Sequence, residues 1–411
     1  MPNLPNNEPE VSMPTYSLTS DLTSFLRCAR QYRMQKRGRL APVNPVQMWA
    51  GHFIHGFMEV TLIHWQNEGS PMPVSKAFNQ NEIPQIAHAV FQRLAREGLH
   101  PRGPNIAILA VERAFAMIER FGDALFPFIT HSELKLQGIR QATLADFRGL
   151  DRYEILGIVD ILASNQGRVH DGLGGNPLSQ QLVDIASNQE VILDYKGMRR
   201  PPVDEGLWTY QEWQVNTYAW LRQREALDVD LPFGGLIYVN ELVPTNDNLN
   251  MMIGEMQQGL TDVLPQSGSN DEQLLSNPRK LRTLFRNTVN TWRKEMEDWW
   301  INHWREQDWS EPMPRLEPNL PLFDLRMRRA IRIIDSSPEV RESSLEQFDD
   351  VATSIEFCLQ KEINIETIDE SWPTKEDAEP QDRDCTICSF KNYCPAMREH
   401  GLKPPSGPET V

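Results

Sequence analysis

The chain has 411 residues, 40% of them apolar and 24% charged. That length fits two to three domains at about 150 residues each, and the balance excludes a wholly disordered chain. The net charge of −16 argues against a general nucleic-acid binder, yet residues 1–200 sum to +1 and residues 201–411 to −17, so a local phosphate-binding surface in the first half is not excluded.

The pattern along the chain suggests five regions. Residues 1–16 are polar and rich in Pro and Asn, the expectation being a disordered leader with no export signal, hence a cytoplasmic protein. Residues 17–130 read as helical. A helix capped at Ser20 or Asp21 runs to about residue 37, with Leu18, Leu22, Phe25, Leu26 and Ala29 at helical spacing. It carries a basic run unbroken by any acid: Arg27, Arg30, Arg33, Lys36, Arg37 and Arg39. By itself such a run is a solvated helix face more often than a ligand site. Further helices are expected over 46–66, 82–96 and 106–128. The longest apolar run, 106–111, is far too short to span a membrane.

Over 131–245 the period changes. Residues 131–137, 154–163 and 191–195 read as strands, 207–227 as a helix and 233–239 as one more strand. The Gly-, Asn- and Ser-rich stretch 171–190 reads as an exposed insertion in the hairpin loop. Residues 246–365 return to helices, at 274–309, 321–334 and 338–362. In the first of these, Trp292, Trp299, Trp300, Trp304 and Trp309 suggest base stacking, but a helical apolar stripe is usually core. Residues 366–411 form an acidic linker and a terminal segment with three of the five cysteines; the fifth, Cys358, reads as a core residue.

The chemistry begins in the strands. Ile155-Leu-Gly-Ile-Val-Asp160-Ile-Leu sets an acid in an apolar strand, where a carboxylate needs a cation or donors nearby. Val191-Ile-Leu-Asp194-Tyr-Lys196-Gly ends a second apolar strand, and period-2 alternation turns Asp194 and Lys196 to one face. Two such acids can hold a hard divalent cation, and the adjacent ammonium can offset charge on a phosphate. Asp194-x-Lys196 alone is a weak signal. Two further pieces add weight: Gly51-x-x-x-His55 on a helix before the sheet offers an imidazole ligand, and Gln214-x-x-x-Tyr218 places two donors on one face of the following helix.

Together these pieces resemble the PD-(D/E)xK nuclease superfamily, in its RecB-like branch. Glu133, in Ser-Glu-Leu-Lys-Leu, resembles the acid that opens the first core strand there. The resemblance implies an α/β (α+β) fold, with a restriction-endonuclease-like mixed central sheet flanked by helices. It also implies metal-dependent cleavage of DNA, at ends or on single strands. His55, Asp160 and Asp194 would hold Mg²⁺ or Mn²⁺, Lys196 would be catalytic with the two aspartates, and Gln214, Tyr218, Glu133 and Arg30 would contact the site or DNA.

The cysteines extend the resemblance. Cys28 and the series Cys385-x₂-Cys388-x₅-Cys394 resemble the iron–sulfur staple of a subset of this branch, including AddB-type and CRISPR-associated exonucleases. Four thiolates satisfy a [4Fe–4S] cluster; zinc is the less expected occupant. Bridging Cys28 to Cys385 closes a loop of roughly 360 residues, a constraint of at most about 5–6 kcal/mol in the chain-entropy model. The implied partners are DNA and a helicase or another repair or CRISPR protein, with no membrane. The rival readings are a non-catalytic iron–sulfur DNA-binding subunit of a helicase–nuclease complex, and a zinc-stapled structural protein.

Overall fold

The computed structural model describes residues 13–37, 46–79, 81–144, 150–165, 177–204, 206–364, 368–375, 385–386 and 388–399. It is a mixed α/β architecture built on one six-stranded sheet: β1 (Thr15–Ser17), β2 (Ile129–Leu144), β3 (Leu150–Ser164), β4 (Glu190–Lys196), β5 (Phe233–Tyr238) and β6 (Ile331–Asp335). β2 runs antiparallel along one edge of β3. On the other edge, β1 pairs in parallel at Glu154–Leu156 and β4 antiparallel at Ile161–Ser164. β4 and β5 are parallel, β5 and β6 antiparallel.

Helices cover both faces because the strands are apolar on both sides. On one side lie α1 (Val46–Asn67), α2 (Glu82–Arg96) and α3 (Pro104–Leu125), packed through Phe53, Phe57, Val90 and Phe115 against Ile161, Leu193 and Ile237. α3 is buried nearly all round, and its Glu112 carboxylate accepts from the Leu316 and Glu317 amides (2.9 Å each) and from Arg315 (3.0 Å). α4 (Pro177–Asp184) joins the same core. On the other side, α5 (Leu207–Glu225) connects β4 to β5 and packs with the C-terminal helix α9 (Pro338–Asn364) over Ile155, Ile192 and Leu236. Between β5 and β6 the chain forms α6 (Asn246–Gln258), α7 (Pro278–Trp299) and α8 (Phe323–Ala330). Trp292, Trp299, Trp300 and Trp304 are buried, as a packing stripe requires. Among the described residues no helix is long and apolar enough to cross a membrane.

Several expectations change. The stretch read as leader contributes β1, where Tyr16 is buried and donates to Glu356 (2.5 Å); residues 1–12 lie outside the described residues. The helix expected over 20–37 is broken at Cys28, which is extended (φ −169°, ψ 112°) between Thr23–Arg27 and Ala29–Tyr32. In the supposed insertion, α4 buries Leu178 and Leu182, while 166–176 lie outside the described residues. Residues 321–334 divide into α8 and β6, because five residues are too few for periodicity to separate strand from helix. Within the expected linker, Ile368–Ser371 is helical and Trp372 fully buried; residues 376–384 lie outside the described residues.

Candidate active site

The β3–β4 ladder ends at Ile161↔Leu193, and there the strands fork. Two residues beyond Leu193, the Tyr195 N–H donates not to a carbonyl but to Asp160 Oδ2 (2.8 Å). The buried carboxylate thus replaces a ladder acceptor at the fork, which satisfies one of its oxygens and leaves Oδ1 for His55. α1 crosses beside the end of β4 through two glycines: a Cβ on Gly197 would lie 3.7 Å from Gly51 Cα. That close passage sets His55, one turn after Gly51, over the fork with its ring edge-on to Tyr195 (centroids 5.8 Å apart).

Three ligand-bearing groups converge here. His55 Nδ1 lies 3.3 Å from Asp160 Oδ1 and 3.6 Å from Glu133 Oε1. One donor atom of each residue fits within a set no wider than 4.8 Å. Glu133 reaches the site from β2 with φ +51°, a left-handed conformation costly for a residue with a Cβ. Strain of this kind persists where the surroundings enforce it, commonly at functional sites.

Beside this triad is a second cluster. Lys196 Nζ sits 2.6 Å from Asp194 Oδ2 and donates to Gln214 Oε1 (2.8 Å). The Gln214 amide donates to Asp194 Oδ1 (3.2 Å) and to the Tyr218 hydroxyl (3.0 Å). Gly157 explains itself by what it makes room for: a Cβ there would come within 2.6 Å of Tyr218 Cε1. The glycine in the strand motif and the tyrosine in the helix motif are one packing unit.

The electrostatics favour a cation at this corner. Burial alone would lower the His55 pKa, but Asp160, Glu133 and Asp194 outweigh it and raise it well above the ordinary value. Burial pushes the Asp194 carboxyl up, Lys196 opposes this, and Asp160 adds to it. Burial, and then the carboxylates of Asp160 and Glu133, keep the Tyr195 phenol protonated.

The sequence-derived site residues are therefore brought together with one change of grouping. His55 and Asp160 share the possible metal set with Glu133, which was expected only as a site contact; Asp194, expected as a ligand, is engaged by Lys196 and Gln214. Arg30, expected to contact the site or DNA, is buried at 4% exposure in the short helix that follows the break at Cys28. Arg33 pairs with Glu362 and Lys36 with Asp21 (3.6 Å), so most of the described basic run is used within the fold.

The four cysteines border one cavity away from this corner. Cys28, Cys385, Cys388 and Cys394 line it together with Arg27, Lys375 and Lys391. Burial raises the Cys388 thiol pKa, and neighbouring Cys28 and Cys394 add to the rise. Cys358 is buried on α9, as expected. Neither any protein-family model nor any curated protein matches the chain.

Proposed function

We propose that this chain is a metal-dependent DNA nuclease of the PD-(D/E)xK type, with a restriction-endonuclease-like core and a four-cysteine iron–sulfur staple. The observation that carries the reading is the meeting of His55, Glu133 and Asp160 beside the Asp194–Lys196 pair at one strand fork. When bound there, a divalent cation supplies an acidified water and neutralises charge on the scissile phosphate. Lys196, held between Asp194 and Gln214, presents its ammonium to a phosphate oxygen. Tyr218 fixes the Gln214 amide, and the Tyr195 N–H fixes Asp160, so neither acid needs to reorganise. Because imidazole suits transition metals better than magnesium, Mn²⁺ supports cleavage at least as well as Mg²⁺.

The cysteine cavity takes a [4Fe–4S] cluster in preference to zinc. The order Cys28 and Cys385-x₂-Cys388-x₅-Cys394 carries this preference, and Arg27, Lys375 and Lys391 line the same cavity and offset the charge of four thiolates. Reduced thiols and such a cluster fit a cytosolic setting.

The test is end-labelled single- and double-stranded DNA incubated with anaerobically purified protein and Mn²⁺ or Mg²⁺. Cleavage is expected from the wild type and not from Asp160→Asn or Lys196→Ala; cleavage that survives in both variants sinks the assignment. The same preparation should be brown, with broad absorbance near 400 nm; a colourless, zinc-loaded sample would refute the cluster.

A further inference from the structure

The same face of the sheet that carries Asp194 continues to a second polar cavity. Asp194 stands opposite Leu236 across β4–β5, and Leu236 opposite Arg332 across β5–β6. Residues directly opposite share a face, so Arg332 lies in the row of Asp194, two strand spacings or roughly 10 Å away. Here Arg200, Trp208, Glu212, Asp262, Arg332 and Ile333 line a cavity of about 310 Å³, at the small end of ligand sites.

Its polar groups are arranged unevenly. Asp262 is bound by Arg200 (Nε–Oδ1 2.8 Å) and by Arg332 Nη2 (3.1 Å). Arg332 is only 9% exposed, yet its buried Nε–H has no hydrogen-bond partner, a state native proteins rarely leave unfilled. The Arg332 guanidinium lies over the Trp208 ring, Cζ 5.2 Å from the centroid. Glu212 makes no hydrogen bond or ion pair among the described residues.

Two cations and two carboxylates leave the cavity neutral overall, which disfavours a free phosphate. A neutral, planar ligand is called for, with an acceptor for Arg332 Nε and donors for the Glu212 carboxylate. A nucleobase has both, and guanine alone offers two adjacent donors (N1–H and N2–H₂) to a carboxylate as well as O6 and N7 acceptors. Unstacked bases commonly settle against aromatic and guanidinium planes. We infer that this cavity is a base pocket, selective for guanine, that holds one unstacked nucleotide of the strand whose backbone passes the Asp194–Lys196 corner. The inference rests on the nuclease reading for its source of nucleotides, because the segment that leaves β4 at Lys196 reaches the cavity four residues on, at Arg200.

The test is fluorescence anisotropy of a labelled thymidine tract carrying a single guanine, beside the same tract with an abasic site there, in EDTA. The wild type is expected to bind the guanine-bearing strand about tenfold more tightly. Glu212→Gln and Trp208→Leu should each erase that difference while leaving binding of the abasic strand unchanged. No guanine preference in the wild type, or a preference surviving in both variants, overturns the pocket. Guanosine alone is the second arm: its binding, abolished by Glu212→Gln, would support the base pocket with a free nucleoside as ligand. Because binding is read without a divalent cation, absent cleavage counts against the nuclease reading, and absent guanine preference against this pocket alone.

Discussion

The carboxylate corner and the cysteine cavity are both built from residues distant in sequence, but they are held together differently. At the corner every group already has a protein partner. Tyr195 fixes Asp160, and Gln214 ties Lys196 and Asp194 to Tyr218. The ties around the cysteine cavity run through short local turns and a few long-range contacts. Cys388 Sγ accepts from the Phe390 amide (3.4 Å), the Arg30 N–H donates to the Pro373 carbonyl (3.1 Å), and Phe25 and Tyr32 pack on Trp372 (6.3 and 6.0 Å between centroids). The sheet preorganises the first site, whereas the proposed cluster would tie the two ends of the chain together at the second. A variant at the corner should therefore cost chemistry, and one at the cavity should cost folding.

The largest effect expected is on cleavage by Asp160→Asn, which keeps an acceptor for the Tyr195 N–H and removes the charge. Activity should fall by roughly 10²–10³-fold or more, with little change in the urea midpoint. Cys388→Ser is the converse. It should lose a large share of the ~5–6 kcal/mol ceiling for the loop it closes, read by urea unfolding under anaerobic conditions, while cleavage per folded molecule stays within a few-fold. If the two variants show the same profile, the contrast between the sites is wrong.

Gly157→Ala sharpens the comparison from inside the corner. Its Cβ must displace the Tyr218 ring, an overpacking cost of about 1–3 kcal/mol, and the shift passes through Gln214 to Lys196. Stability and cleavage should fall together, and a Gly157→Ala protein of unchanged activity would separate Tyr218 from the site. The smallest effect concerns acid stability. Burial would raise the Asp262 carboxyl, but Arg200 and then Arg332 outweigh it and hold it at about 2. A folded pKa below the unfolded one contributes stability above about pH 4 that is lost as pH falls toward 2. Asp262→Asn should then lower the urea midpoint at pH 7 and differ less from wild type near pH 2.5; an equal difference at both values would remove the ion pair from this account.

Much of the frame was legible in the residues because helical and strand periods are local properties. The spacing placed α1, α2, α3, α5 and α9 within a few residues of their ends, and it placed Asp160, Asp194 and Lys196 on two adjacent strands. Gly157 and Tyr218 were visible as motif letters, but not as one packing unit, since the 2.6 Å approach exists only when α5 lies across β3.

What the chain alone determined was the inventory: which carboxylates, which imidazole, which thiols, and which elements carry them. Grouping them required tertiary structure. The left-handed backbone at Glu133 beside His55, the break at Cys28 ahead of the buried Arg30, and the short strand β6 that sets Arg332 in the row of Asp194 are all decided by register and by tertiary contacts. Such contacts join residues far apart in the chain, so no local pattern of side chains encodes them.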